Sequence, residues 1–321
     1  MKLFKTKLST NDIHEISKVL EQGTLGFGPN VKIFEERYSN FSQKEFNVAT
    51  NSASASAFML FAYFREKYGI CDVYTTSLGF TSPAWAAKHF GHNLYFVDVQ
   101  EDLQFSAEHY KRTRIGSGNK KIVMPVLYGG VSTIRGFDLV GDEIVVVDSA
   151  HCATPTIECD YSFFSFHPYK PICTSDGGMI STNNEEADRY FRSYRNFGRE
   201  PIGLSYDITQ NGFKFYMNNL NATIGLTQLD SYCDRVVARK DIFDKLSQKY
   251  DLLPHDDNSS YYFATVLLDE ADELIETHKI SRHYPMLHKT EFYQKNTVLP
   301  VLESLHSKIL NLPLNGEWTI K

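Results

Sequence analysis

The chain predicts an α/β protein: a mostly parallel sheet flanked by helices, followed by a small C-terminal α/β domain. Short, almost wholly apolar runs such as Val145-Val146-Val147 and Tyr161 to Phe166 recur between residues 46 and 182. Runs that lack polar alternation suit strands buried on both faces, as parallel strands are. Helical segments separate most of these runs, which is the alternation that parallel crossovers require. Beyond Asn219 the pattern changes to a long helical stretch, then one strand and two further helices. We therefore place a large domain over 1–230 and a small one over 231–321.

Taken in order, Ser9-Thr10-Asn11-Asp12 opens a helix, with Ser9 and Asp12 at capping-box spacing, and Gly23 ends it. Gly23, Gly26 and Gly28 make the next loop a mobile or closely approached backbone. A second helix carries Val31, Phe34, Tyr38 and Phe41 on one face. Strands are expected at Phe46 to Ala49, Val73 to Thr76, Leu94 to Val97, Lys121 to Val126, Ile144 to Asp148, Tyr161 to Phe166 and Met179 to Thr182. Helices are expected from Ser54 to Lys67 and from a Ser82-Pro83 cap to Phe90. Only Thr133 to Val140 is available for a crossover helix before Ile144, so that unit is short. The long helical stretch runs from Asn219 to about Tyr250. The tail holds a strand at Tyr261 to Leu268 and helices near Glu270 to His278 and Leu299 to Leu310.

Composition narrows the function classes. A net charge of −6 gives no basis for binding nucleic acid or an anionic membrane. No apolar run approaches the ~20 residues of a bilayer span, and the first residues lack the apolar core of a secretion signal. Five cysteines without metal-ligand spacing suit a reducing cytosol, so a cytoplasmic location is expected and no metal is.

The stretch Ser165-Phe166-His167-Pro168-Tyr169-Lys170 carries the most chemistry. Its lysine follows a buried strand, where desolvation lowers the pKa of an ammonium. A partly neutral amine can attack a carbonyl and hold an imine. Ser165 can donate a hydroxyl to a phosphate, and Gly177-Gly178 lets backbone approach a bulky ligand. An imine-forming amine, phosphate donors and room for a flat ring are the requirements of a pyridoxal-phosphate site.

Other strand ends supply the complementary parts, and open α/β sheets bind ligands at the carboxyl ends of their strands. Asn51-Ser52-Ala53-Ser54 joins a strand to a helix start, where free N–H groups favour a phosphate; it also reads as an ordinary cap. Asp148 ends a strand and could keep a pyridinium nitrogen protonated, although strand-end aspartates are common. Phe80 could lie on a ring face or belong to the core. Each sign is weak alone; their order along the chain is demanding.

With these residues the chain resembles the DegT/StrS-type sugar aminotransferases, pyridoxal-phosphate enzymes of the aspartate-aminotransferase-like fold type I. The resemblance is carried by Gly26-Phe27-Gly28-Pro29, Asn51 to Ser54, Asp148-Ser149-Ala150-His151, Ser165 to Lys170 with Asp176-Gly177-Gly178, Gly212 to Ala222 with Gln228-Leu229, and His283-Tyr284-Pro285. It implies Lys170 as the imine-forming lysine and Asp148 as partner of the ring nitrogen. It puts His151 near the ring's phenolic oxygen and Phe80 on the ring face. Ala53 (through its amide), Ser54 and Ser165 match phosphate-binding positions. Lys214 matches a position that reaches the phosphate of a neighbouring subunit, which implies a homodimer with shared active sites.

Three positions depart from the family pattern. Ser54 stands for threonine, Asp176 for glutamate and Phe197 for histidine, and the segments 133–142 and 152–160 are short. The implied reaction moves an amino group from an amino acid, glutamate by family expectation, to a nucleotide-linked keto-sugar. A sugar dehydratase is the alternative within the same relatives, but its members carry histidine at the lysine position. A non-catalytic homologue is the other alternative, and the retained Lys170 and Asp148 argue against it.

Overall fold

The computed structural model describes residues 8–139, 141–202, 204–278, 282–293 and 296–315. Helix α1 (Thr10–Gln22) starts with the expected capping box between Ser9 and Asp12 and ends at Gly23, whose φ of 75° is left-handed. Helix α2 (Pro29–Ser42) begins with proline in its first turn and buries Val31, Phe34 and Tyr38. Strand β1 (Phe46–Thr50) leads into α3 (Ala53–Tyr68), and β2 (Asp72–Thr76) into α4 (Thr81–His89). Next come β3 (Asn93–Val97), α5 (Ala107–Thr113), β4 (Lys121–Met124), β5 (Ile144–Asp148), β6 (Tyr161–Ser165), β7 (Gly178–Thr182) and α6 (Glu185–Tyr194). A hairpin, β8 (Arg199–Ile202) and β9 (Ser205–Ile208), precedes α7 (Asn219–Asp230) and α8 (Tyr232–Ser247). Strand β10 (Ala264–Leu267), α9 (Ala271–His278), α10 (Pro300–Leu305) and β11 (Ile309–Leu312) complete the helices and strands of the described residues.

The main sheet has the order β1-β7-β6-β5-β4-β2-β3. All neighbours pair in parallel except those of β7, which runs antiparallel to both β1 and β6. The carboxyl ends of β1, β2, β4, β5 and β6 therefore share one edge. Packing sets what lies beyond that edge. Phe34 and Tyr38 of α2 meet Phe166, just past β6, edge to face with both ring centroids 5.3 Å away. Such pairs add about 0.5–1.5 kcal/mol to area burial and hold the start of the lysine loop against the core. Deeper in, Glu35 accepts the Ala49 amide at 2.8 Å and pairs with Arg192 and the buried Arg195. This ties α2, β1 and α6 into one frame.

Several expectations are corrected. Among the described residues no α-helix spans β4 to β5; the connection has a 3-10 turn at Tyr128–Gly130 and irregular backbone after it. Left-handed Gly129, Gly130 and Gly136 break helical geometry there, while Asp256 binds the Ser132 amide at 2.7 Å. Ser82 does not cap α4: Phe80 is its N-cap residue, without a side-chain cap bond. The stretch after Asn219 is two helices, α7 and α8, meeting at Ser231. The expected helix through Leu310 stops at Leu305, because Ile309–Leu312 pairs with the open edge of β10. β10 itself starts only at Ala264, since the amides of Ser260 and Tyr262 bond instead to the carbonyls of Gly130 and Gly129. Helices α5 and α6 and the β8–β9 hairpin were not expected. For α6 the signal was present: Asn184 caps a first turn holding Glu185, Glu186 and Asp188.

Candidate active site

At the shared strand edge lies a cavity of about 350 Å³. Its wall includes Ala53 and Ser54 after β1, Phe80 after β2, and Asp148 and His151 at the end of β5. Ser165 and Lys170, from the end of β6 onward, complete the set that the sequence placed there.

One end of the cavity suits a phosphate. Ser52 caps α3 by accepting the Ala55 amide at 3.1 Å. The first-turn amides of Ala53 and Ser54 have no helical carbonyl to serve them, and the helix dipole adds partial positive charge. Ser54 Oγ donates to Ser82 Oγ at 2.9 Å, so two hydroxyls stand together. Gly178 makes this closeness possible: a Cβ there would lie 2.5 Å from the Ser52 carbonyl carbon and 2.6 Å from the Ala53 nitrogen. The lysine loop is closed at its neck by Phe166 N–H to Gly177 O and Thr174 N–H to Phe166 O, both 2.9 Å. Lys170 N–H to His167 O, also 2.9 Å, turns the chain and brings the lysine back toward the sheet.

The other end holds the titratable groups. Asp148 is buried, and burial pushes its carboxyl up to about 6, against the opposing pull of the Ala150 amide at 3.0 Å and of Lys170. Burial lowers the Lys170 ammonium to about 7, and the Asp148 charge resists that shift. The amine is thus partly neutral near neutral pH and available as a nucleophile. His151 is buried, which drives its pKa well below the ordinary histidine value, with Lys170 and His283 acting in the same direction. It is therefore neutral. Its Nε2 is 2.9 Å from the Tyr284 hydroxyl, and its Nδ1 is a buried polar atom without a hydrogen-bond partner among the described residues.

These features fit a flat, phosphorylated, electron-poor ring. A carboxylate, an amine near its titration point, a neutral imidazole and a helix N-terminus surround a space of suitable size. Among the described residues no group of His, Cys, Asp and Glu could hold a metal ion.

Lys214 is not in this wall. It is exposed, and its carbonyl accepts from Asn51 Nδ2 at 3.1 Å, which sets its backbone beside the residues leading into α3. Among the polar wall residues without an assigned site role are Tyr262, His283, Tyr284 and Ser82. His283 and Tyr284 stood in a recognised motif without a function attached. Tyr262 had no local signal, because its own amide's bond to the Gly129 carbonyl and that of Ser260 to the Gly130 carbonyl bring it there. No helix among the described residues is long and apolar enough to cross a membrane.

A model of the DegT/DnrJ/EryC1/StrS aminotransferase family matches residues 6–320. The spore coat polysaccharide biosynthesis protein SpsC of Bacillus subtilis is 26% identical, with 96% of this chain and 90% of SpsC aligned. The UDP-4-amino-4,6-dideoxy-N-acetyl-beta-L-altrosamine transaminase of Campylobacter jejuni is 26% identical over 94% of this chain and 80% of its own. Among solved structures, Helicobacter pylori PseC, an aminotransferase involved in the biosynthesis of pseudoaminic acid, superposes with a TM-score of 0.86 at 21% identity, covering 98% of this chain and 94% of PseC. The sugar aminotransferase CalS13 of Micromonospora echinospora gives 0.85 at 18% identity, covering 99% of this chain and 95% of CalS13. Both share the fold.

Proposed function

The chain belongs to the DegT/DnrJ/EryC1/StrS aminotransferase family, and from that premise we propose that it aminates a keto-sugar carried on a nucleotide, with glutamate as amino donor. It is a pyridoxal-phosphate-dependent sugar aminotransferase of fold type I. The nucleotide is supported by the UDP-linked sugar in the name of the Campylobacter relative. One observation carries the reading: Lys170, its amine lowered to about 7 by burial, shares a cavity with the buried acid Asp148.

When bound, pyridoxal phosphate supplies an electron sink that eases proton loss from the carbon bearing the amino group. The protein's residues do the rest. Lys170 Nζ would hold the cofactor and, when free, would serve as base and then as acid for the substrate proton. Asp148 would keep the ring nitrogen protonated, since a buried carboxylate acts at low effective dielectric. The amides of Ala53 and Ser54 and the Ser54 and Ser165 hydroxyls would hold the phosphate, with Phe80 on the side of the ring face and His151 on the side of the phenolic oxygen.

We also propose a homodimer in which Lys214 reaches the partner's cofactor phosphate, and a division of the chain at 230/231. Residues 1–230 hold every wall residue from Ser52 to Gly177, and 231–321 bring Tyr262 and Tyr284.

The test is a screen of nucleotide-linked keto-sugars with glutamate, reading amino-sugar product, beside the Lys170→Ala variant. Product with wild type, none with the variant, and loss of borohydride-trappable cofactor are expected. Near-wild-type turnover by Lys170→Ala without added amine overturns the assignment. Turnover of free keto-sugars alone overturns the nucleotide.

A further inference from the structure

We propose that His167 is the base that takes a proton from the ammonium group of the incoming amino donor, with Asp176 opposite it to balance the charge it then carries. The sheet sets the pair. Strands β6 and β7 run antiparallel with Ser165 facing Gly178. The pairing continues past the strand ends, since the Phe166 amide donates to the Gly177 carbonyl at 2.9 Å. One step further, that register brings His167 opposite Asp176, where side chains can reach one another. Alternation along the chain puts His167 on the face of Phe163 and Ser165, and all three line the cavity, as does Asp176.

Both side chains are presented to that space. His167 and Asp176 are exposed. Among the described residues, neither the His167 ring nitrogens nor the Asp176 carboxylate makes a hydrogen bond or an ion pair. Their backbones are held instead. The His167 carbonyl accepts from Lys170 N–H at 2.9 Å, and the Asp176 carbonyl accepts from Thr174 Oγ1 and Asn221 Nδ2 at 2.9 and 2.6 Å.

An amino acid arrives with its amine mostly protonated at neutral pH, and an ammonium has no lone pair for attack. Lys170 cannot accept that proton while its nitrogen holds the cofactor. Other wall groups are poorly placed. Asp148 is buried, His151 and His283 bury Nδ1, and His151 Nε2 lies against the Tyr284 hydroxyl. Burial pushes the Tyr262 and Tyr284 phenols above their ordinary value, so both keep their protons. Of the wall histidines, His167 is the exposed one.

The titratable groups that face it are Tyr169 and Lys170 from its own loop and Asp176 from the residues before β7. Partial desolvation lowers the His167 pKa, the Lys170 charge acts in the same direction, and Asp176 opposes both. The ring is therefore neutral at neutral pH and able to accept a proton. In the step, one N–H bond of the donor breaks, its electron pair stays on the donor nitrogen, and an N–H bond forms on the imidazole. The exposed imidazolium then returns the proton to water.

The inference rests on Lys170 holding the cofactor as proposed above, and its test needs no sugar. Protein loaded with pyridoxal phosphate is mixed with glutamate or with hydroxylamine, a nucleophile already neutral at pH 7, and the visible band is followed. His167→Gln should slow the reaction with glutamate by about 10²-fold and leave that with hydroxylamine unchanged. Its glutamate rate should climb with pH above neutrality, where wild type is level. Equal glutamate rates in the two proteins, or a parallel loss with hydroxylamine, overturn the role. A wild type without borohydride-trappable cofactor overturns the reading of Lys170, and this one with it. In the cofactor-free protein, proton NMR should show His167 titrating below the ordinary value of 6.5, and lower still in Asp176→Asn. An identical titration in Asp176→Asn overturns the pairing of the two residues.

Discussion

The Lys170 ammonium stands 4.5 Å from the centre of the Tyr262 ring, over its face. The two residues are 92 positions apart, and they meet because the chain before β10 bonds to the Gly129-Gly130 turn. A ring face is a weak substitute for water around an ammonium. Burial outweighs that contact and the Asp148 charge, and leaves Lys170 near its titration point rather than fixed as a cation.

That balance makes the stability of the cofactor-free protein depend on pH in two opposed limbs. Asp148 rises from 3.8 to about 6 on folding, so between those values the folded chain holds the extra proton and stability falls as pH rises. Lys170 drops from 10.5 to about 7, so between about 7 and 10.5 the unfolded chain holds the extra proton and stability rises with pH. Each proton changes stability by at most about 1.4 kcal/mol per pH unit. Thermal melts should show wild type minus Asp148→Asn sloping down below about pH 6, and wild type minus Lys170→Met sloping up above about pH 7. Flat difference curves would contradict both shifts.

Asp148→Ala should lower turnover by roughly 10³-fold, the scale seen when a preorganised electrostatic partner is lost from a dry site. The protein should still bind cofactor through Lys170 and the α3 end. Steady-state kinetics with a cofactor titration separates the two effects, and retained turnover would remove Asp148 from the chemistry.

Gly178→Ala should disturb the phosphate end first. The new Cβ meets backbone of Ser52 and Ala53, not a flexible side chain, so α3 must shift. Overpacking of this kind costs about 1–3 kcal/mol. Urea unfolding should show that loss, and cofactor affinity should fall as well; affinity unchanged would place the phosphate elsewhere.

Lys214→Ala should weaken cofactor binding by about tenfold, the worth of one charge-assisted hydrogen bond, and ease dissociation of a cofactor-free dimer. Sedimentation with and without cofactor reads both. A monomeric wild type, or a variant with unchanged affinity, would dismiss the cross-subunit role.

Gly178 and Lys214 illustrate two grades of legibility. A glycine pair after a lysine loop signals close approach, and the structure supplies the partner, Ser52. A lysine in a loop signals nothing about direction, and in one chain Lys214 is exposed.

The residues by themselves determined the strand series and the site's inner set. Short apolar runs bounded by turn signals and rich in β-branched or aromatic residues suit buried strands, and the residues proposed for the chemistry follow such runs at short range: Asp148 ends β5, and Lys170 lies in the closed loop after β6. Local sequence suffices when a residue's position is set by its own strand. What tertiary structure alone decided lies across long separations. The backbone of 260–262 turned from its expected strand to serve the Gly129-Gly130 turn, and Ile309–Leu312 became a strand because β10 offered it an edge. The same folding over brought Tyr284 to His151, 133 residues away. Such choices depend on which distant backbone groups need partners, and no local pattern records that need.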